Sequence, residues 1–232
     1  METPCLLSKS RYMIIVASGK GTRMGSDIPK QFLPLGGKPI IMRTIERIKE
    51  ADNNINIVLV LAKEHQDYWL LLCSEYSFSI EHKIVTGGEQ RFNSVQNGLN
   101  SIEEDSIIGI HDGVRPLVDI DVVNNCFTHA QIFSNAVPVI KPVESLRLVK
   151  GGKNSYFDRD SIVLIQTPQC FESKLIKKAY SQPYNKSFTD DASVVESIGV
   201  EINLIEGNYE NIKITNHSDL IIAETLFNDS RY

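Results

Sequence analysis

The chain has 232 residues, of which 42% are hydrophobic and 23% are charged. These values are typical of a globular protein with one large domain or two small ones and a substantial core. The formal net charge of −5 argues against general nucleic-acid binding and against a membrane-surface role, because both depend on an excess of basic residues.

Two further features concern the compartment. No apolar run approaches the ~20 residues that span a bilayer, and the segment METPCLLSKSRY lacks the apolar core of a signal peptide. Cys5, Cys73, Cys126 and Cys170 are widely separated and form no C-x-x-C pair, so neither a zinc site nor a disulfide framework is predicted. We therefore expect a cytoplasmic protein without a membrane partner.

The first predicted element is a buried strand over residues 13–17, followed by the glycine-rich sequence SGKGTR. Glycines after a strand let backbone N–H groups surround an anion, and this edge of a parallel sheet is where open α/β folds bind ligands. Lys20, Arg23 and Lys30 add positive charge to the same loop. The pattern predicts a polyphosphate site. It is neither a Walker loop nor a complete dinucleotide fingerprint, so a glycine-rich turn with solvated basic residues is the alternative.

Helices and strands alternate along the next part of the chain. A helix is predicted to begin near Pro39, with an apolar stripe formed by Ile41, Ile45 and Ile48. The following predicted elements are strand 55–62, helix 65–72, strand 84–85, helix 91–102, strand 107–110, helix 120–133 and strand 136–140. This alternation predicts a mainly parallel sheet with helices on both faces.

Residues 141–160 interrupt this alternation. Two short β-like segments, 145–149 and 155–157, surround the turn sequence KGGKN, and together they predict a β-hairpin arm that projects from the sheet. Such an arm has exposed edges, and a second subunit is the usual cover for them. We therefore expect a homodimer formed through this arm; a floppy loop is the alternative.

The remaining residues return to the sheet. Residues 162–165 are predicted to re-enter the core, followed by helix 172–180, a helix from 189 or 190 to 198, strands 202–205 and 212–214, and helix 218–227. Thr189, Asp190 and Asp191 are cap-type residues, and Gly199 is expected to end the helix. With no repeat and no linker, the prediction is one domain over residues 1–232.

Polar and basic residues recur just after the predicted strands. In a doubly wound sheet such positions meet at one edge. A single basic residue is more often a solvated surface charge. Their shared placement, however, predicts a site for a ligand with several phosphates, built from Arg23, Lys30, Arg91, Arg115 and Lys213.

A set of motifs, in chain order, resembles a known family. The motifs are A-x-G-x-G-x-R-M with P-K-Q-F, G-G-x-x-R-x-x-S-V, H-D-x-x-R-P, Q-T-P-Q-x-F, T-D-D-A-S and N-I-K-I-T. Over about residues 13–226 the chain resembles the 2-C-methyl-D-erythritol 4-phosphate cytidylyltransferases and their relatives, the ribitol-5-phosphate and other polyol-phosphate cytidylyltransferases. The resemblance implies a Rossmann-like α/β nucleotidyltransferase fold and a homodimer with interlocked arms. It also implies transfer of CMP from CTP to a sugar-alcohol phosphate, with Mg²⁺ or another divalent cation.

The resemblance further implies roles for individual residues. The expected CTP contacts are Ala17, Ser18, Gly19, Gly21, Thr22, Gly88, Glu89, Arg91 and Ser94. The expected contacts to the sugar phosphate are Asp112, Arg115, Ser145 and Thr167. The expected catalytic residues are Arg23, Lys30, Arg159 and Lys213, with Arg159 reaching the partner's active site from the arm. No protein side chain is assigned to the metal, which the CTP phosphates would mainly hold.

The expected reaction needs positioning and charge neutralisation rather than a nucleophilic side chain, because the substrate phosphate itself attacks the α-phosphorus. Arg23, Lys30 and Mg²⁺ would spread the charge that develops on the triphosphate, and Lys213 and Arg159 would hold two anions that repel each other. A phosphate is ionised at neutral pH, so no general base is required, and His111 is interpreted as structural.

The sequence departs from the family pattern in three places. Val16-Ala17-Ser18-Gly19 replaces the usual P-A-A-G, and Glu89 stands where aspartate is frequent. In the arm, a three-residue insertion would align Glu144-Ser145-Leu146-Arg147 with the family's D-T-x-K and make Ser145 the hydroxyl contact; without it, Pro142 occupies that position. We favour Ser145.

Three other functions are compatible with parts of this pattern. A polyol-phosphate cytidylyltransferase for cell-surface polymers would differ only in its substrate. A non-catalytic nucleotide sensor would be expected to have lost some of the basic residues, all of which are present. A nucleotide-sugar glycosyltransferase would need a D-x-D metal motif, which Asp112-Gly113-Val114 does not supply.

Overall fold

The computed structural model describes residues 9–19 and 28–229, and the structural statements that follow concern these residues. The strands in chain order are β1 (Ser10–Val16), β2 (Pro34–Leu35), β3 (Lys38–Pro39), β4 (Asn56–Leu61), β5 (Lys83–Thr86), β6 (Ser106–Asp112), β7 (Asn135–Ile140), β8 (Leu146–Lys150), β9 (Lys153–Phe157), β10 (Leu164–Ile165), β11 (Gln169–Glu172) and β12 (Leu204–Glu206). The α-helices are α1 (Ile40–Ala51), α2 (Gln66–Glu75), α3 (Arg91–Asn100), α4 (Ile120–Phe133), α5 (Ser173–Tyr180), α6 (Asp191–Glu196) and α7 (His217–Phe227).

Eight of the described strands form one mixed sheet in the order β10-β7-β11-β6-β1-β4-β5, with β12 also paired to β7. Strand β1 lies inside the sheet, parallel to both β4 and β6, so that Ile14 is in register with Val58 on one side and Ile110 on the other. These strands are almost continuously apolar because helices cover both faces of the sheet. The predicted α/β fold with a mainly parallel, mixed sheet is confirmed.

The alternation of side chains along β1 separates the core into two layers. Met13 and Ile15 point to the layer that contains α1, α2 and α4. Ile14 points to the opposite layer, which contains α3, α5 and α6. Each of these three side chains is fully buried, and burying one such side chain contributes about 1.5–3 kcal/mol. The sheet edge that carries the site is therefore held rigidly from both faces.

The segment after β7 contains the predicted hairpin. Strands β8 and β9 pair antiparallel, with Lys150 opposite Lys153. The turn between them has Gly151 at φ +57° and Gly152 at φ +76°, and positive φ at both central residues is typical of the tight hairpin turns that glycine favours. The chain then returns along β7 as β10, with Leu164 opposite Ile140. The hairpin is thus anchored at its base on a single strand.

Two predictions for this half of the chain are wrong. Residues 162–165 do not re-enter the core: β10 is an edge strand, and Leu164 and Ile165 are 47% and 44% exposed. Residues 212–214 are not a strand. Ile214 is nevertheless buried, and its N–H donates to the carbonyl of Val114 over 3.0 Å. The apolar run indicated burial correctly, but burial alone does not specify sheet pairing.

Three strands, β2, β3 and β11, are not predicted by the sequence. Strand β11 lies antiparallel between β6 and β7, and the short strands β2 and β3 pair with each other around Gly36 and Gly37. The helix boundaries differ from the predicted ones by a few residues, and α4 has the predicted bounds. Over residues 9–19 and 28–229, no helix combines the length and apolar character needed to cross a bilayer.

Candidate active site

A pocket of about 580 Å³ opens where β1, β4, β5 and β6 end. This volume lies within the range of sites for small ligands and cofactors. The described residues that line it come from the last residues of these strands, from the segments that follow them and from three positions farther along the chain, Lys30, Gln31 and Lys213. The full lining is Val16, Ser18, Gly19, Lys30, Gln31, Ala62, Lys63, Glu64, Thr86, Gly87, Gly88, Glu89, Gln90, Arg91, Ser94, Asp112, Val114 and Lys213. The predicted convergence of several motifs on one edge of the sheet is therefore present.

One wall of the pocket is organised by the hydroxyl of Ser94. Ser18 Oγ donates to Ser94 Oγ over 2.8 Å, and the N–H of Gly88 donates to the same oxygen over 3.0 Å. Ser94 in turn donates to the carbonyl of Gln90. A Cβ at Gly87 would lie 2.4 Å from the Cβ of Ser18, so only glycine permits this approach of the two loops. The loops after β1 and β5 thus form one connected wall.

Lys30 lines the pocket from a short 3₁₀ turn over Lys30–Phe32. Gln31 and Phe32 are buried and fix this turn, and Gln31 Nε2 donates to the carbonyl of Ala17 over 2.9 Å. Lys30 Nζ donates to the carbonyl of Ile214 over 3.2 Å. The turn therefore holds the Lys30 ammonium at the pocket and links it to the loop that carries Lys213.

Asp112 is the centre of a cluster of basic side chains. Its carboxylate lies 3.0 Å from Lys213 Nζ, 3.2 Å from Arg115 Nε and 3.9 Å from Arg91 Nε. Burial alone would raise the pKa of Asp112, but these three cations outweigh it and hold the pKa well below its usual range. Asp112 is therefore ionised at neutral pH, and the positive charge around it exceeds its own negative charge.

The charge state of Asp112 leads to a prediction about acid stability. Because its pKa is lower in the folded than in the unfolded state, its contribution to the free energy of unfolding is present above the unfolded value of 3.8 and is lost as the pH falls below it. Asp112→Asn is expected to lower that free energy by about 2–4 kcal/mol at pH 7. The difference in the free energy of unfolding between wild type and variant should be smaller by about 1 kcal/mol at pH 3 than at pH 7.

Urea unfolding at both pH values, followed by the fluorescence of the single tryptophan, Trp69, measures this difference. Trp69 is fully buried, so its emission reports on loss of the core. Asp105→Asn serves as the surface control: Lys9 and Lys174 lower the pKa of Asp105 as well, but these pairs are half-exposed and screened by solvent, so its effect on the free energy of unfolding should be small at both pH values. If Asp112→Asn lowers the free energy of unfolding equally at pH 7 and pH 3, the lowered pKa of Asp112 is contradicted.

Arg91 connects this cluster to a buried carboxylate that sequence reasoning missed. Its two terminal nitrogens donate to the two oxygens of Asp191 over 2.8 and 2.7 Å. Tyr180 Oη donates to Asp191 Oδ1 over 2.6 Å, and Asp191 is fully buried. The motif T-D-D-A-S was interpreted as a helix cap, but only Asp190 caps α6, by accepting from the N–H of Ser193. Both terminal nitrogens of the Arg91 guanidinium thus bind Asp191, and the Nε of Arg91 faces Asp112.

The structure distributes the predicted site residues over four places. Those that line the pocket are Ser18, Gly19, Lys30, Gly88, Glu89, Arg91, Ser94, Asp112 and Lys213. Ala17, Arg115 and Thr167 lie directly behind it. Ser145 and Arg159 are exposed at the arm, where Arg159 donates to the carbonyl of Val143, whereas Pro142 is buried. Gly21, Thr22 and Arg23 lie outside the described residues. The pocket residues Gln31, Lys63 and Glu64 were not predicted.

The donor set determines whether the protein itself offers a metal site. Within residues 9–19 and 28–229, no group of three or more histidine, cysteine, aspartate or glutamate side chains is arranged to hold a metal ion. The carboxylate of Asp112 is engaged by Lys213, Arg115 and Arg91. Among the described residues, the pocket therefore suits a polyanion rather than a bare divalent cation.

Comparisons with known proteins agree with this chemistry. Residues 12–229 match the family model described as 2-C-methyl-D-erythritol 4-phosphate cytidylyltransferase. Proteins of that name from Phocaeicola vulgatus and Bacteroides thetaiotaomicron are 51% and 50% identical to this chain, covering 94% and 92% of it and 99% and 98% of their own lengths. A crystal structure of 4-diphosphocytidyl-2C-methyl-D-erythritol synthase from Anaerococcus prevotii has the same fold, with a TM-score of 0.81 and 24% identity over 94% of this chain and 96% of that one.

Proposed function

The chain belongs to the 2-C-methyl-D-erythritol 4-phosphate cytidylyltransferase family, and from this we infer its reaction. It transfers CMP from CTP to 2-C-methyl-D-erythritol 4-phosphate, giving 4-diphosphocytidyl-2-C-methyl-D-erythritol and pyrophosphate, a step of isoprenoid precursor biosynthesis. The observation that supports this most directly is the meeting of Lys30, Arg91, Asp112 and Lys213 in one pocket of a chain that matches the family over residues 12–229.

The bond changes require no nucleophile from the protein. An oxygen of the substrate phosphate forms a new bond to the α-phosphorus of CTP. The bond from that phosphorus to the oxygen that bridges it to the β-phosphorus breaks, and pyrophosphate leaves with the electron pair. Because the attacking phosphate is already ionised, the protein contributes by orienting two anions and by neutralising their charge.

The cluster around Asp112 suits the sugar phosphate. A lone carboxylate would repel this anion, but Lys213 and Arg115 outnumber it even though Arg91 is paired with Asp191. We assign Asp112 the role of holding these basic side chains in place, and Lys213 and Arg115 the role of attracting the phosphate. Preorganised charges of this kind stabilise a transition state without reorganisation during the reaction.

The triphosphate would occupy the part of the pocket that Ser18, Gly19 and Lys30 line. The wall formed by Ser18, Gly88 and Ser94 would support the nucleoside, and Glu89 would face its cytosine. Lys30 would then neutralise charge on the triphosphate while the α-phosphate becomes five-coordinate. Lys30 and Lys213 would thus neutralise charge on two anions that lie next to each other.

We also propose a requirement for Mg²⁺, for which other divalent cations can substitute. When bound, the ion neutralises phosphate charge and orients the phosphate oxygens. Since the described residues offer no ligand cluster of their own, the phosphate oxygens of CTP would hold the ion for the most part.

The arm supports the proposal of a homodimer. A two-stranded hairpin is marginally stable by itself, and Val149 and Tyr156 of this one are 70% and 75% exposed. A second copy of the chain that covers the arm would bury them and would bring Arg159 and Ser145 to the partner's pocket.

A cytoplasmic location is proposed as well, because Cys73, Cys126 and Cys170 form no disulfide, as is typical of a reducing compartment.

Release of pyrophosphate from CTP and Mg²⁺ tests the reaction, with methylerythritol 4-phosphate and ribitol 5-phosphate supplied separately. Turnover with methylerythritol phosphate alone is expected. Turnover with ribitol phosphate alone would instead assign the protein to polyol-phosphate activation for cell-surface polymers. If neither substrate reacts, although the protein is folded and binds CTP, the catalytic function itself is contradicted.

A further inference from the structure

His111 is a buried titratable group that the reaction above does not use. It lies on β6 immediately before Asp112, is fully buried and does not line the pocket among the described residues. Its Nε2 is 3.0 Å from the carbonyl oxygen of Arg115, and its Nδ1 is 3.0 Å from Thr167 Oγ. The imidazole therefore lies between two residues that were expected to bind the sugar phosphate.

These contacts determine the tautomer of His111. A carbonyl oxygen can only accept a hydrogen bond, so the proton must be on Nε2 and is donated to Arg115. Burial lowers the pKa of His111 to about 4, so at neutral pH the ring is uncharged and Nδ1 carries a lone pair. Thr167 must then donate its hydroxyl proton to Nδ1.

The hydroxyl of Thr167 has a second contact that agrees with this direction. The N–H of Asp112 donates to Thr167 Oγ over 3.1 Å. The oxygen therefore accepts from Asp112 and donates to His111, and its only proton is used. Thr167 is also just 5% exposed and, unlike Asp112, is not among the described residues that line the pocket.

We propose that His111 is a positioning residue of the sugar-phosphate site, which fixes Asp112 through the Thr167 hydroxyl and fixes Arg115 through its carbonyl. The inference rests on the proposed function and refines it. The Thr167 hydroxyl then links the backbone N–H of Asp112 to the ring of His111, and it does not donate its proton to the substrate phosphate. The phosphate is left to the basic side chains that surround Asp112. His111 thereby acts through Thr167 and Arg115 and touches no reacting atom.

Nitrogen NMR of the ¹⁵N-histidine-labelled wild-type protein tests the tautomer without any need for turnover, and so separately from the proposed function. The chain has five histidines, and His111→Gln assigns the signal by its loss. We expect one protonated and one unprotonated ring nitrogen, with the proton on Nε2, both before and after addition of methylerythritol 4-phosphate. A proton on Nδ1, or on both nitrogens, would overturn the proposal, because Thr167 could then donate elsewhere.

A double-mutant cycle tests the hydrogen bond between Thr167 and His111. Thr167→Val and His111→Gln are each expected to raise KM for the sugar phosphate about tenfold, the effect of one buried hydrogen bond, while KM for CTP stays within about twofold. Because both changes break the same hydrogen bond, KM of the double variant for the sugar phosphate should not exceed that of the more damaging single variant. If the two losses multiply, Thr167 contacts the phosphate independently of His111 and the proposal fails.

Ser173→Ala is the matched control. Its buried hydroxyl accepts the N–H of Ser106 over 3.1 Å, at the start of β6, just as Thr167 accepts that of Asp112 at the strand's other end. This control should lower the melting temperature and leave both KM values unchanged. A tenfold rise in the sugar-phosphate KM for Ser173→Ala would show that any loosening of β6 has this effect and would contradict a specific role for His111.

Discussion

Replacing Lys30 with alanine is expected to lower kcat by about two orders of magnitude or more, as removal of a charge that stabilises a transition state does. Lys30 lines the pocket, and its Nζ donates to the carbonyl of Ile214, one residue after Lys213. Its ammonium is therefore held at the pocket beside the segment that carries Lys213, where it can reach a bound triphosphate. The effect should fall mainly on kcat, since the charge on the transferring group increases as the bond to pyrophosphate breaks.

Steady-state kinetics with saturating CTP and methylerythritol 4-phosphate would measure this loss. Lys49→Ala is a suitable control, because Lys49 Nζ also donates to a backbone carbonyl, that of Ile55, over 3.0 Å, and Lys49 is not one of the described residues that line the pocket. The control should retain kcat within about twofold, as expected of a surface substitution. An unchanged kcat for Lys30→Ala would remove Lys30 from the mechanism.

Mixing inactive Arg159→Ala protein with inactive Lys30→Ala protein is expected to restore activity. If Arg159 acts across the dimer, one of the two sites in each hybrid contains both Lys30 and Arg159. Random exchange of an equal mixture then gives about a quarter of the wild-type activity, since half of the dimers are hybrids. Arg159 is exposed in its own protomer and does not line that protomer's pocket among the described residues, which is what action in trans requires.

The exchange itself has to be verified by mass spectrometry of the mixed dimers. A mixture of Arg159→Ala with the double variant Lys30→Ala/Arg159→Ala is the control, since no combination of these chains forms a complete site. Full exchange without rescue in the first mixture would show that Arg159 acts within its own protomer. A protein that is monomeric at the assay concentration would contradict the proposed homodimer directly.

The parallel strands β1, β4 and β6 could be predicted because they contain long apolar runs, and α1 because its buried isoleucines recur at helical spacing. Strand β11 could not, because it is short, has polar residues at both ends and is defined only by pairing with β6 and β7. A local pattern contains no information about which strand lies beside it. The same limit explains residues 212–214, which pack against α7 without joining the sheet.

The sequence likewise predicted some features of the site and not others. The motifs correctly placed Lys30, Arg91, Asp112 and Lys213 at one edge of the sheet, because that edge follows from the topology. The pairing of Arg91 with Asp191 was missed, because 100 residues separate the two and aspartate before a helix is more often a cap. The direction of the hydrogen bond at Thr167 depends on the protonation of a buried histidine, which only three-dimensional contacts reveal.

The base of the arm has a consequence for how proteins of this fold diversify. Because Ile140 on β7 pairs with Leu164 on β10, the chain leaves and rejoins the sheet at the same point. Each doubling of the length of a flexible insertion costs only about 0.6 kcal/mol in closure entropy, so residues between these two anchors can be lengthened, shortened or exchanged without altering the register of the central strands. An exchange of the arm should therefore leave the part of the site built on the sheet intact, while Arg159 and Ser145, which lie between the anchors, have to be retained for the partner's site.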